Sequence, residues 1–206
     1  MIKKNKLILK TNFPIILASK SNIRKKILHQ TGLKFEQVPS NVNEENIKMK
    51  FKKKKPDYLA KKLAEEKALA VSNLRLNSYV IGSDQICVVQ NQILNKPKFK
   101  VKAIKQLSML SGRSHKQISA ISLCYNKKIL WSHSEIVTMK MKKLSINLIK
   151  KYVDLDLPLY SCGSYKYESF GKYLFSKVNN YNETILGLPI LSLLDILHKK
   201  KIIRYV

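Results

Sequence analysis

The stretch that decides the fold lies near the N-terminus: Phe13–Ala18 reads Phe-Pro-Ile-Ile-Leu-Ala and runs into Ser-Lys-Ser-Asn-Ile-Arg at Ser19–Arg24. An apolar run of this length is typical of a buried strand. Ser21 is a favourable N-cap, and Ile23 and Ile27 lie on one side of the helix that would begin there. We therefore predict a strand that turns directly into a helix.

The rest of the chain alternates between strand and helix patterns. The predicted strands are Tyr79–Val89, with Gly82–Gln85 inside it, then His115–Cys124 and Ile129–Met139. One predicted helix begins near Pro56, and three others cover Lys100–Leu110, Leu144–Val153 and Gly187–His198. The segment Pro158–Phe170 is predicted as strand and loop. This alternation predicts an α/β fold. Since no linker or repeat interrupts it, we predict one domain over residues 13–206, preceded by a basic N-terminal tail, residues 1–12.

Charge and composition exclude some classes of protein and leave others open. The 206 residues carry 40 Lys and Arg against 13 Asp and Glu, a formal charge of +27. This balance is typical of nucleic-acid binders, but 36 of the basic residues are lysine, which lacks the planar fork of arginine. A lysine-rich nucleic-acid-binding protein without catalysis stays an alternative.

No apolar run approaches the ~20 residues that cross a bilayer, and the basic start lacks the features of a secretion signal. The three cysteines, Cys87, Cys124 and Cys162, are too far apart for a metal-binding pair, and their odd number favours a reducing compartment. We expect a cytoplasmic protein with no membrane partner.

The predicted strand-to-helix turn is a candidate phosphate site. A helix N-terminus offers free backbone N–H groups and a partial positive charge, which suit an anion. Ser19, Ser21 and Arg24 add two hydroxyls and a guanidinium there. A capping serine beside a surface arginine gives the same pattern, so both interpretations stay open.

Asp84 is the second candidate, because it interrupts an otherwise apolar strand. A buried carboxylate without a partner costs several kcal/mol, so it should meet a cation, a metal or water. Glu44 could supply a second oxygen ligand, since Mg²⁺ usually takes one or two carboxylates together with substrate phosphates. Taken by itself, Glu44 is predicted to be a solvated loop acid.

Other candidates are weaker. Composition selects no lysine, although Lys67 on the second long helix and Lys96 beside Pro97 are well placed. His115 is predicted to be structural, because no Ser or Cys nucleophile motif accompanies it. The loop 161–171 carries tyrosines that can stack on a base and the carboxylate of Glu168, which can accept from a base edge. A plain tyrosine-rich strand is the open alternative for this loop.

In their order and spacing, these pieces resemble the Maf family of nucleotide pyrophosphatases. The matching stretches are 16–24, 43–44, 64–68, 80–85, 95–97, 110–115, 162–171 and 184–189. The resemblance implies an elongated mixed β-sheet flanked by helices, with two lobes and a central cleft, commonly in a homodimer. It also implies a cytoplasmic hydrolase that uses a divalent metal cation, Mg²⁺ or Mn²⁺, to convert a nucleoside triphosphate to the monophosphate and diphosphate. The family is linked to septum formation and cell-division arrest.

The resemblance also implies a role for each matching residue. Asp84 matches the proton acceptor and Glu44 the acidic residue near the metal, so these two would hold the cation. The groups that match the family's phosphate site are Ser19, Arg24, Lys67 and Lys96. The positions at which the subfamilies differ in substrate are Ile23, Gln85 and Glu168.

These three positions bear on the choice of base. The thymidine- and uridine-specific branch usually has Arg, Thr and Gln, whereas Ile23, Gln85 and Glu168 are closer to the branch associated with 7-methyl-GTP and to broader members. Cys162-Gly163-Ser164-Tyr165 also departs from the commoner Ala-Gly-Gly-Tyr. We expect a nucleoside triphosphate pyrophosphatase that clears modified or non-canonical nucleotides, with a 7-methyl-GTP-specific enzyme as the alternative. A nucleotide sensor without catalysis is less expected, and so is a stable nucleic-acid partner.

Overall fold

The computed structural model describes residues 9–179 and 182–205, which contain nine strands and seven α-helices. The strands are β1 (Leu9–Lys10), β2 (Ile15–Ala18), β3 (Glu36–Gln37), β4 (Tyr79–Val89), β5 (Gln92–Leu94), β6 (Ser114–Tyr125), β7 (Lys128–Met141), β8 (Phe175–Val178) and β9 (Arg204–Tyr205). The helices are α1 (Asn22–Gln30), α2 (Glu44–Lys50), α3 (Pro56–Ser72), α4 (Lys100–Leu110), α5 (Ile146–Asp156), α6 (Asn182–Ile185) and α7 (Ile190–Lys199). Short 3₁₀ turns occupy Cys162–Ser164 and Phe170–Leu174.

The main sheet is mixed, with the order β3-β2-β4-β6-β7-β8 and with β5 paired to β4. Strand β2 is parallel to both of its neighbours, whereas β5 and β8 are antiparallel to theirs. The predicted α/β class with a mixed sheet is therefore confirmed. Separately, β1 pairs with β9, so Leu9 and Lys10 of the predicted tail are in a strand, while residues 1–8 of that tail lie outside the described residues.

The chain divides into two compact units. The first contains the described residues up to Asp84, together with Ala120–Ser134 and the residues from Gly187 onward. The second contains Gln85–Ser119 and Glu135–Leu186. The single domain over residues 13–206 and the cleft between two lobes stay predictions.

Close packing of α3 on β4 defines the interior of the first unit. A Cβ atom at Gly82 of β4 would overlap the carbonyl oxygen of Ala64 and lie 2.8 Å from the amide nitrogen of Ala68. Glycine is therefore needed here, because any side chain would push the helix away from the strand. Lys67 lies between Ala64 and Ala68 on α3, so this contact brings it to the part of β4 that carries Asp84.

Helix α2 is a shallow element of the same unit. Asn43 caps it, accepting a hydrogen bond from the backbone N–H of Asn46 at 3.1 Å, and none of its residues is buried. The expectation that Glu44 is a loop acid was wrong: Glu44 begins this helix, because the preceding asparagine is an effective N-cap.

In the second unit, α4 and α5 pack against the sheet through Leu107, Met139 and Val153, all fully buried. The prediction of a strand within Pro158–Phe170 was wrong. Gly163 and Ser164 both have positive φ, 77° and 61°, which ends any extended run and turns the chain sharply at this point. Among the described helices of both units, none has the length and apolar character needed to cross a membrane.

Candidate active site

Three charged side chains meet in the first unit and form what we call the charged cluster: Lys67, Asp84 and Glu44. The Nζ atom of Lys67 lies 2.5 Å from Oδ1 of Asp84 and 2.7 Å from Oε1 of Glu44. The Lys67 and Asp84 side chains are only 9% and 10% exposed, whereas Glu44 is 32% exposed. The sequence argument that Asp84 should meet a cation, a metal or water is therefore correct, and the partner is the ammonium of Lys67.

The electrostatics of the charged cluster keep Lys67 protonated. Burial lowers the pKa of the Lys67 ammonium, and the charge of Arg24 acts in the same direction. The carboxylates of Asp84 and Glu44 outweigh both effects, so the pKa of Lys67 lies above its ordinary value. Removing one partner of a buried ion pair typically costs about 3–5 kcal/mol, so each member of the cluster depends on the others.

The predicted phosphate turn lies in the same unit. Parallel pairing places Ala18 of β2 opposite Gly82 of β4. Ser19, which follows Ala18, is therefore at the same end of this strand pair as Ser83 and Asp84, which follow Gly82. Ser21 caps α1, accepting the backbone N–H of Arg24 at 3.3 Å, as predicted. The carboxyl ends of parallel strands are where ligands bind in open α/β sheets.

Arg24 ties this turn to its surroundings. Its Nε donates to the carbonyl of Gly187 at 2.9 Å, and its Nη1 donates to the carbonyl of Ser83 at 3.0 Å. Ser83 Oγ also donates to the Gly187 carbonyl, at 2.7 Å. Sequence reasoning missed Ser83 and Gly187, because neutral groups distant in sequence give no local pattern. Arg24 has both a structural role here and a charge that Lys67 senses.

The charged cluster suits a divalent cation by the chemistry of its donors. Two carboxylates converge on one positive group, and carboxylate oxygens are the ligands that Mg²⁺ and Mn²⁺ prefer. No group of three or more His, Cys, Asp or Glu side chains is placed to hold a metal in residues 9–179 and 182–205. A pair of carboxylates is nevertheless what Mg²⁺ uses when substrate phosphates complete its coordination.

The remaining predicted residues are distributed over both units. Ile23 is half-buried in the first turn of α1, in the unit of the charged cluster. Lys96, Gln85 and Glu168 belong to the second unit, where Lys96 and Glu168 are exposed. The roles of all four stay predictions.

Gln85 has a chemically defined orientation within the second unit. Its Nε2 donates to Ser119 Oγ at 3.1 Å and to the carbonyl of Ile185 at 2.6 Å. Ser119 Oγ in turn donates to the carbonyl of Thr184 at 2.6 Å, so this hydroxyl can only accept from Gln85. Carbonyl oxygens only accept hydrogen bonds, so the Gln85 amide must direct Nε2 toward Ser119 and Ile185 and Oε1 away from them.

Glu168 lies in a turn that α5 anchors on both sides. The backbone N–H of Lys166 donates to Tyr152 Oη at 2.9 Å, and Ser169 Oγ donates to Asp156 Oδ1 at 2.8 Å. These contacts hold the backbone of the turn while the Glu168 side chain stays exposed.

The second unit also buries a neutral network that the sequence did not reveal. Tyr165 Oη lies 2.9 Å from His115 Nε2 and accepts from Gln117 Nε2 at 2.7 Å. Burial lowers the pKa of His115 to about 4, and burial also raises the pKa of Tyr165 well above its ordinary range. Both side chains are therefore uncharged near neutral pH, which agrees with the predicted structural role of His115.

A comparison with family models completes the assignment. The model described as Maf-like protein matches residues 14–200. The chain belongs to the Maf family. The resemblance inferred from the ordered motifs is thereby confirmed, and the charged cluster, the turn at Ser19–Arg24 and the Gln85 network all lie inside the matched residues.

Individual relatives agree with this Maf assignment. A protein of Legionella pneumophila (strain Corby) named nucleoside triphosphate pyrophosphatase is 41% identical over 190 residues, covering 92% of this chain and 95% of its own. Proteins with the same name from Rhodopseudomonas palustris (strain BisB18) and Pelagibacter ubique are each 35% identical, covering 93% and 85% of this chain and 96% and 92% of their own. A HAM1 protein structure from Coxiella burnetii has a TM-score of 0.42 at 12% identity and covers 91% of this chain and 99% of its own, a likeness too low to add to the assignment.

Proposed function

We propose that this Maf chain hydrolyses a nucleoside triphosphate to the monophosphate and diphosphate, as the names of its relatives state for those proteins. The observation that carries the proposal is the charged cluster, in which a buried ammonium bonds two carboxylates. Membership of the family and identities of 35–41% over most of the chain support the same activity.

Asp84 is the proton acceptor in this reaction. The oxygen of a water molecule bonds to the α-phosphorus, the bridging P–O bond breaks, and the electron pair of that bond leaves with diphosphate. The proton of the attacking water passes to the carboxylate of Asp84. A rigid position in the middle of β4 favours such transfer, because a general base must lie within hydrogen-bonding reach of the proton that it takes.

Lys67 and Arg24 supply the positive charge that the reaction needs. Phosphoryl transfer depends mostly on positioning and on neutralising charge on the phosphate oxygens. Lys67 is buried and Arg24 is held by two carbonyls, so both bring fixed charges. Ser19, Ser21 and the start of α1 add hydrogen-bond donors for the same phosphates, and Lys96 is proposed to add a further charge.

Asp84 and Glu44 are the residues that would hold a divalent cation, Mg²⁺ or Mn²⁺. When bound, such an ion neutralises phosphate charge and lowers the pKa of coordinated water. The chain's contribution is to bring two oxygen ligands to one place, one from a buried strand and one from the first turn of α2.

The choice of base is proposed to depend on Gln85 and Glu168. A carboxylate can accept from the N–H donors on the edge of guanine, and its charge would favour a methylated, cationic guanine further. Glu168→Gln is expected to lower the preference for GTP and 7-methyl-GTP over UTP and dTTP. An unchanged ranking in an assay of diphosphate release would exclude this role.

The test of the catalytic proposal is Asp84→Asn, which keeps the volume and removes the base. We expect diphosphate release to fall by about 10²–10⁴-fold, while calorimetry still detects nucleotide binding. Asp154→Asn is the control, since Asp154 is exposed and pairs with Lys100. Near-normal turnover of Asp84→Asn would refute the role of Asp84.

Helix α2 offers a matched pair of variants for the second carboxylate. Glu44 bonds Lys67, whereas its neighbour Glu45 is 69% exposed and pairs with Lys48. Glu44→Gln should lose most activity at low Mg²⁺ concentration, and Glu45→Gln should not. Equal activity of the two variants at low Mg²⁺ concentration would exclude a role of Glu44 in the reaction.

The wider expectations are proposals of the same kind: a cytoplasmic location, a homodimer, a link to cell-division arrest, and no stable nucleic-acid partner. The rival interpretation, a lysine-rich nucleic-acid binder, gives the charged cluster no role, because its carboxylates repel the phosphates of a nucleic acid unless a cation lies between them. A non-catalytic nucleotide sensor would bind nucleotide without releasing diphosphate, which the same assay measures.

A further inference from the structure

Lys67 occupies the position between the two carboxylates that the proposed function assigns to a divalent cation. Its Nζ bonds one oxygen of Asp84 and one of Glu44, at 2.5 and 2.7 Å. A divalent ion that binds these oxygens would meet the ammonium at short range, where the repulsion between like charges is strong. The ammonium and the ion therefore compete for the same ligands.

We propose that Lys67 is a placeholder cation, which keeps Asp84 and Glu44 closed to a divalent ion until a triphosphate offers its ammonium another partner. This inference rests on the proposed function. It adds a second role to Lys67: besides neutralising phosphate, the residue couples the binding of nucleotide to the binding of metal.

Burial makes the competition effective. The Lys67 side chain is 9% exposed, so the ammonium cannot simply release the carboxylates and turn to water. It needs an anion wherever it goes, since a buried charge without a partner is strongly unfavourable. A triphosphate provides such anions, and no comparable anion is available when only the metal is added.

The consequence is positive coupling between the two ligands. Nucleotide that attracts Lys67 raises the affinity for the metal, and the metal must raise the affinity for nucleotide by the same factor. With a preformed metal site, the removal of the Lys67 charge would not change the affinity for the ion in the way that a placeholder requires. Chelation of metal by the triphosphate itself adds coupling too, but equally in wild type and variants.

The decisive experiment measures Mn²⁺ alone by electron paramagnetic resonance, without nucleotide and without turnover. Lys67→Met should bind Mn²⁺ roughly 10- to 100-fold more tightly than wild type, the range of typical coupling between sites. Lys62→Met is the matched control: Lys62 is on the same helix but pairs with Glu65, so its loss should leave Mn²⁺ affinity unchanged. Lys67→Arg retains a cation and should bind Mn²⁺ as weakly as wild type.

A second measurement keeps the proposal open to refutation if Lys67→Met does not fold. The wild-type protein with the non-hydrolysable α,β-methylene analogue of GTP bound should bind Mn²⁺ more tightly than the same analogue binds Mn²⁺ alone in solution. Equal Mn²⁺ affinity of wild type and a folded Lys67→Met, or no excess coupling in wild type, would overturn the placeholder role.

The carboxylate variants separate this failure from failure of the proposed function. Glu44→Gln in the Lys67→Met background should abolish the gain in Mn²⁺ affinity. If that double variant instead binds Mn²⁺ as tightly as Lys67→Met, the metal lies elsewhere and the proposed metal ligands are wrong. If Glu44→Gln alone weakens Mn²⁺ binding while Lys67→Met has no effect, only the placeholder role is wrong.

Discussion

In the first unit the buried side chains of Lys67 and Asp84 meet the partly exposed Glu44, and all three are charged, whereas in the second unit His115, Gln117 and Tyr165 form a buried network of uncharged groups. The charged cluster pairs its ammonium with both carboxylates. The neutral network leaves His115 Nδ1 and Gln117 Oε1 without a partner among the described residues. An orphaned neutral atom costs about 1–3 kcal/mol, less than an orphaned charge. The contrast indicates that the first region is organised to hold ions, and the second to hold Tyr165, which directly follows the 3₁₀ turn Cys162–Ser164.

The largest effect should come from the glycine that brings α3 to the charged cluster. Gly82→Ala would place a methyl group against the backbone of Ala64 and Ala68, so we expect a loss of about 3 kcal/mol or more in the free energy of unfolding. Diphosphate release should fall too, because displacement of α3 carries Lys67 away from Asp84. Urea denaturation and the assay of activity measure the two effects.

A second substitution tests the cause of this loss. Ala68→Gly removes only the Cβ atom that lies 2.9 Å from the added methyl and leaves the overlap with the Ala64 carbonyl. The double variant Gly82→Ala/Ala68→Gly should therefore recover little stability. Full recovery would mean that the side chain of Ala68, and not the helix backbone, sets the distance between α3 and β4.

A smaller effect, confined to acid pH, should come from the neutral network. The pKa of His115 is about 4 in the folded protein against 6.5 for an ordinary histidine, so the unfolded chain takes up this proton first. Stability should fall as pH decreases from about 6.5 to 4, by up to about 3 kcal/mol, and should not depend on His115 above that range. His115→Gln should remove this part of the pH dependence.

The measurement is the difference in unfolding free energy between wild type and His115→Gln at pH 7, 5.5 and 4. His29→Gln, an exposed position in the last turn of α1, controls for general effects of losing a histidine. A difference that stays constant over this range would show that protonation of His115 does not lower the free energy of unfolding.

The smallest effect concerns the choice of base. Ser119→Ala removes one of the acceptors that orient the Gln85 amide, but the carbonyl of Ile185 remains. We expect ratios of kcat/KM between bases to change about two- to fivefold, the value of roughly 0.5–1 kcal/mol for one hydrogen bond. Ser122→Ala, also buried on β6, is the control. A change in stability without any change in these ratios would separate Gln85 from base recognition.

The sequence predicted elements whose signals are local. α4 occupies the predicted Lys100–Leu110, and α1 begins after Ser21 as its capping pattern indicated. Helix α7 begins at Ile190, later than the predicted Gly187, because Pro189 takes the N-cap position. Short α2 was missed, since one asparagine cap before a seven-residue helix is a weak signal.

The site was predictable in part for a physical reason. Asp84 was conspicuous because a carboxylate in an apolar strand needs a partner. Lys67 could not be chosen among 36 lysines without the family resemblance. The network of Gln85 and Ser119 and the separate network around Tyr165 escaped prediction, because their hydrogen bonds join neutral side chains to groups 34 to 100 positions away.

The shallow setting of α2 has a kinetic consequence. Asp84 belongs to an eleven-residue strand in the sheet, whereas Glu44 arrives on a seven-residue helix with no buried residue. Elements with few buried contacts open locally far more often than the rest of a fold. Backbone amides of residues 44–50 should therefore exchange with deuterated solvent well before those of β4. Local opening of α2 would carry Glu44 away from the charged cluster while Asp84 stays in place on β4.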